Sequence, residues 1–142
     1  MVQFYFLSVL MNLIAGLVLV YGLDLTKASE EEVSGGKGFI ASAGLNGHTA
    51  RLVIGIASLV VAVMKILSVF RKDLPVIGDL LPVAAGLAGG FSLLVEYFKV
   101  RSESVDVPES VQKIFIDSRK YIGILCLAAS VLHFVLPQVP LL

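Results

Sequence analysis

Four stretches of this chain are each mostly apolar for about twenty residues, the length an α-helix needs to cross the hydrocarbon core of a bilayer. They cover residues 2–23, 51–70, 74–98 and 120–140. A segment inside lipid has no water to satisfy its peptide groups, so a helix or a closed barrel are the only solutions. The alternating apolar–polar pattern of barrel strands is missing, which leaves helices. The fold class read from the sequence is therefore all-α: a polytopic membrane protein with four transmembrane helices in an antiparallel bundle, all in one domain spanning residues 1–142. Composition agrees, with 57% hydrophobic and only 15% charged residues, against roughly 45–50% and 25% in soluble domains. The first stretch lacks a basic n-region and a cleavage site of small residues, so it reads as a retained helix and not as a signal peptide.

The connections are unequal. Arg71, Lys72 and Asp73 form a short turn between the second and third helices. The loop 24–50 is long, acidic at Glu30, Glu31 and Glu32, and then rich in glycine. Between residues 108 and 118 lies an amphipathic segment. The spacing of Asp106 and Glu109 predicts a capping box, and Val111, Ile114 and Phe115 share one helical face suited to the membrane interface. Thr49 is predicted to cap the second helix. Both long loops fall on one side of the membrane, with Lys27, Lys37, Arg51, Lys99, Arg101, Lys113, Arg119 and Lys120. Arg71 and Lys72 fall on the other. The positive-inside rule makes the side of the long loops cytoplasmic, in a cell or inner membrane.

The chemistry is confined to a few positions. Arg51, Gly55, Ser58, Ala62 and Lys65 follow one another at spacings of four and three residues, and so share one face of the second helix. Arg119, Gly123, Cys126, Ser130 and His133 repeat that stripe in the fourth helix. Arg51, Ile54, Gly55, Ile56, Leu59 and Val63 recur at an offset of 68 residues, and in that repeat Lys65 falls on His133. Such a repeat fits two similar hairpins related by an axis along the membrane normal, and equally fits convergence on one packing pattern. Small residues in these stripes, with Gly86, Gly89 and Gly90 in the third helix, are what membrane helices use to approach closely.

A charge inside a membrane needs a reason. Lys65 lies about five residues from its helix end and Asp79 at similar depth across the short turn; His133, Ser8 and Asn12 fall in the same half of the membrane. Lys65 either snorkels to headgroups or pairs with Asp79 and His133, and the sequence leaves both open. Lys65, Asp79, His133, Asn12 and Ser8 are the candidate binding residues. Glu96 with Arg51 and Arg119 forms a candidate rim salt bridge or gate at the opposite end. No metal-ligand spacing, catalytic set, cofactor motif or phosphate loop is present; the lone Cys126 sits in an apolar run. With a formal net charge of zero, no bulk electrostatic signal points to nucleic acid.

These features carry two functional expectations. The first is a non-catalytic subunit or accessory protein of a membrane complex. The alternative is a homodimeric carrier or binder of a small molecule or ion, using the intramembrane Lys/Asp/His cluster. Membrane lipid is an expected partner in both, alongside further copies of the chain or a hetero-oligomeric complex.

Overall fold

The computed structural model describes residues 2–22, 39–45, 47–70, 80–102 and 106–136, and every regular element among them is helical. The elements are α1 (Val2–Tyr21), the single turn α2 (Phe39–Ser42), α3 (His48–Phe70), α4 (Leu80–Arg101), the short α5 (Glu109–Val111), a π-helical segment (Gln112–Asp117) and α6 (Arg119–Val135). Among the described residues, three stretches are long and apolar enough to cross a membrane: Gln3–Tyr21, His48–Leu67 and Leu80–Arg101. At 17 residues α6 is shorter. The turn at Arg71–Asp73 and most of the acidic, glycine-rich loop lie outside the described residues.

The four long helices associate chiefly as two pairs, α1 with α6 and α3 with α4, and the two pairs then pack side by side. Glycine makes each pair. A Cβ on Gly16 would lie 2.9 Å from the carbonyl oxygen of Gly123, and one on Gly123 would lie 3.1 Å from that of Gly16. In the second pair a Cβ on Gly55 would meet the Gly90 carbonyl at 3.1 Å, and one on Gly90 would meet the Gly55 carbonyl at 2.9 Å. Backbones approach this closely only where no side chain intervenes, which gives van der Waals contact its grip where lipid offers no hydrophobic drive. Each pair thus sets one glycine of an Arg-x-x-x-Gly helix against one glycine of an antiparallel neighbour. Asn12 and Gly16 of α1, with Gly22 just past its end, have the same spacings as Gly86, Gly90 and Glu96 of α4.

Between the pairs runs an apolar layer of Ala15, Val18, Leu19, Ile54 and Leu93, all buried. Cys126 donates its thiol hydrogen to the Ala85 carbonyl at 3.2 Å and seats against Gly89, where a Cβ would come within 2.7 Å of the sulfur. Outward-facing residues such as Phe6, Val53, Val60, Leu67, Phe91 and Ile124 are large, apolar and exposed, as lipid-facing surface would be.

Local details differ from the spacing rules in three places. The helix expected to be capped by Thr49 starts at His48, and its first-turn bond runs from the Arg51 N–H to the Gly47 carbonyl at 3.2 Å. Glycine serves there as well as a hydroxyl because it lets the entering backbone turn freely. The expected Asp106–Glu109 capping box does not form: Pro108 occupies the N-cap with extended backbone, and no side chain caps the turn. A proline there already sets its own φ, and its carbonyl accepts the Gln112 N–H at 3.0 Å. The third difference is the face of the amphipathic segment. Ile114 is 56% exposed while Ile116 is 3% exposed. The wider π turn, closed by i→i+5 bonds, shifts the register away from an α-helical stripe. Phe115 packs edge-on to Phe91 with ring centroids 4.8 Å apart, and its carbonyl accepts the Ser92 hydroxyl at 2.6 Å. The segment therefore docks on the molecule's own α4.

Candidate functional site

The sequence-predicted residues fall into two clusters at opposite ends of the helices, with a polar pair between them. At the first end Arg51, Glu96 and Arg119 meet, all within 5% of complete burial. Arg51 Nη1 donates to Glu96 Oε2, and Arg119 Nη2 lies 3.7 Å from Glu96 Oε1. The three side chains form a buried bridge, because α4 carries Glu96 inward between the two guanidinium-bearing helices. Arg119 also donates to the Val18 and Gly22 carbonyls, each at 3.2 Å. Those carbonyls end α1, where the peptide dipoles leave partial negative charge, so a cation caps them well. Gly22 leaves room for the other guanidinium: a Cβ there would lie 3.1 Å from Arg51 Nη2.

At the other end Lys65 Nζ lies 2.7 Å from His133 Nε2, with both residues buried. The helices that carry them, α3 and α6, face each other across the interior, and only long side chains close the gap. Tyr5 joins from α1. Its hydroxyl donates to the His133 carbonyl, its ring lies 4.6 Å from the imidazole, and Lys65 Nζ stands 5.9 Å above its face, within cation–π range. Asp79, the expected partner of Lys65, lies outside the described residues. Sequence reasoning passed over Tyr5; its signal was an aromatic hydroxyl on the same side of α1 as Ser8 and Asn12, one turn further toward the end.

Deeper along α1 come Ser8 and Asn12, both buried. The Asn12 amide donates from Nδ2 to the Pro82 carbonyl at 2.9 Å, tying α1 to α4. Ser130 of α6 donates to the Val9 carbonyl at 2.9 Å. Ser8 and Asn12 line a narrow crevice with Ser58, Ala62, Pro82 and Gly86. Ser58 was visible in the α3 stripe as a small packing residue; nothing in a linear pattern marked its hydroxyl as facing Asn12's level. Among the described residues, no group of three His, Cys, Asp or Glu is arranged to hold a metal ion.

The arrangement is a seam. Lys65 to His133, Asn12 to Pro82 and Glu96 to Arg119 each join one helix pair to the other. Ionisable groups occupy its two ends, neutral oxygens its middle, and the apolar layer separates the middle from the arginine end.

A family model matches residues 1–133 of the chain. A Treponema pallidum (strain Nichols) protein described as an uncharacterized protein is 35% identical over 133 residues, covering 94% of this chain and 93% of its own length. No solved structure matches.

Proposed function

We propose that this protein, which belongs to the same family as the Treponema pallidum relative, is a small integral membrane carrier or binder that handles a proton, together with a small solute or ion, at Lys65 and His133. In this reading all four long helices cross the membrane as an antiparallel bundle. The 17 residues of α6 rise about 26 Å at 1.5 Å each, close to the roughly 30 Å of a hydrocarbon core. The long loops face the cytoplasm, and the working unit is a homodimer, because a bundle this small leaves little interior for a path of its own.

The observation that carries the reading is the 2.7 Å contact between two nitrogen bases. One hydrogen must lie between them. Either an ammonium donates to a neutral imidazole, or an imidazole N–H donates to a neutral amine. Two cations in that geometry would oppose N–H to N–H and repel strongly in a low-dielectric setting. Passing between the two arrangements moves a proton across the seam, from one helix pair to the other. Intramembrane ionisable groups that face each other in this way are the parts from which proton and ion pathways are built. The test is proton movement in vesicles of the reconstituted protein, followed with an entrapped pH dye. Lys65→Met and His133→Ala are expected to abolish it while leaving the protein folded. Wild-type movement in both variants would reject the reading.

A second reading, an accessory subunit of a membrane complex, draws support from Ile114. It is a large apolar side chain, 56% exposed, on a segment outside the long helices, flanked by Lys113 and Asp117. It predicts that native mass spectrometry of gently extracted protein gives a heteromeric mass that Ile114→Glu reduces to the chain alone. A mass unchanged by that substitution counts against it.

A further inference from the structure

We propose that the seam holds, at Asn12 and Ser58, a binding site for a small monocarboxylic acid in its protonated, neutral form. The inference rests on the proton-handling reading and names its solute.

Two atoms carry it. Asn12 Oδ1 and Ser58 Oγ are buried and have no hydrogen-bond partner, and each residue is 1% exposed. The orientation of the Asn12 amide is set by its other end. Nδ2 donates to the Pro82 carbonyl, and reversing the amide would set oxygen against oxygen. Oδ1 is thereby turned toward Gly86, whose missing Cβ would stand 3.2 Å from it. Both residues border the same narrow void. The helix pairs meet across it, Asn12 from α1 and Ser58 from α3. The site thus offers a fixed acceptor and a rotatable hydroxyl that donates. An undissociated carboxyl group offers the complement: an O–H for the amide oxygen and a C=O for the serine hydroxyl. The void is too narrow to seat a water molecule as it stands, so a guest enters as the two pairs part. The meeting surfaces there are small, with Gly86, Ala62 and Ser58, which keeps that separation small.

Charge selects the class of guest. Lys65 follows Ser58 by seven residues on the same stripe, about two turns or 10 Å away, and the arginines stand at the far end, so the seam disfavours a cation. An anion is drawn first to the basic pair. Among the described residues Tyr5 from α1 faces that pair; Asp79, which precedes α4, lies outside the described residues. The proton held between Lys65 and His133 then passes to the carboxylate. One N–H bond breaks, one O–H bond forms on a carboxylate oxygen, and the pair is left one proton poorer, to be restored from water. The neutral acid moves inward to Asn12 and Ser58. Beyond them the layer of Ala15, Val18, Leu19, Ile54 and Leu93 resists an anion far more than a neutral molecule.

The experiment is saturation-transfer NMR on the purified full chain in detergent at mildly acid pH, with acetate and formate as probes. Saturable binding is expected, weakened about tenfold by Ser58→Ala, the scale of one lost hydrogen bond. Gly86→Ala is expected to weaken it similarly by filling the void, without touching Lys65 or His133. The lipid-facing variant Ile56→Ala should bind as the wild type does. Absence of saturable binding, or wild-type binding in both Ser58→Ala and Gly86→Ala, overturns the site. If Lys65→Met stops proton movement in vesicles while Ser58→Ala and Gly86→Ala both bind acetate as the wild type does, the site falls and the proton-handling reading stands. If Lys65→Met and His133→Ala move protons as the wild type does, the reading itself falls, and this inference with it.

Discussion

The two ends of the helix assembly hold buried charge in different ways. At one end a carboxylate stands between two guanidinium groups, and one of these also caps the last carbonyls of α1. Arginine keeps its charge at any ordinary pH, so this end is a fixed electrostatic joint. At the other end two bases share a contact with a tyrosine ring beside them. Lysine and histidine both change charge when their surroundings change, so that end can exist in more than one protonation arrangement. The positions correspond through the repeat, Arg51 with Arg119 and Lys65 with His133, yet the chemistry diverges. A repeated scaffold can thus carry a static joint and a responsive one, depending only on whether the side chains that meet are permanent or titratable.

Four substitutions bear on that comparison. Glu96→Gln should have the largest effect, because it leaves two guanidinium groups buried without their carboxylate. A loss of about 3–5 kcal/mol is expected, read as a lowered unfolding midpoint in detergent. A loss under about 1 kcal/mol would show that the arginine end is no electrostatic joint. Arg119→Met keeps the Arg51–Glu96 contact but strips the carbonyls that end α1 of their cap, and about 2 kcal/mol is expected. Hydrogen exchange should locate the added opening in the last turn of α1; opening spread evenly along the helix would argue against capping. Tyr5→Phe removes only the hydroxyl bond to the His133 carbonyl, for about 1 kcal/mol, and should leave the proton contact in place. Lys65→Met is expected to change stability least, by under about 1 kcal/mol or in the stabilising direction. An apolar chain of similar length keeps the packing and leaves a neutral imidazole behind, so the chief loss is the contact to His133. Equal losses from Glu96→Gln and Lys65→Met would erase the distinction between the ends.

Much of the site could be seen along the chain, and the reason is periodicity. Residues at spacings of three and four share a helix face whatever they pack against. Arg51 and Lys65 therefore had to sit on one stripe, and Arg119 and His133 on another. The correspondence of α1 with α4 was harder to see. It rests on Gly16 matching Gly90 and Gly22 matching Glu96, at an offset different from the one relating α3 to α6. Two glycines and a carboxylate in place of a third make a poor sequence signal. Tyr5 and Ser58 were missed for a related reason, since an aromatic near a helix end and a serine on a packing stripe each have a common structural use.

What the sequence by itself determined is the class of structure. Long apolar segments must be helical because their peptide groups have to be satisfied within the segment, and three of them reach spanning length in the described residues. It also determined which side chains each helix presents together. Only the tertiary structure decided which stripe meets which. Glycine contacts draw α1 to α6 and α3 to α4, which sets α3 and α6 across the interior from each other. Glu96 then falls between two arginines, and Lys65 finds His133. Pairing of this kind depends on the depth and rotation of separate helices, which are fixed by close packing between backbones and not by any periodicity within one chain segment.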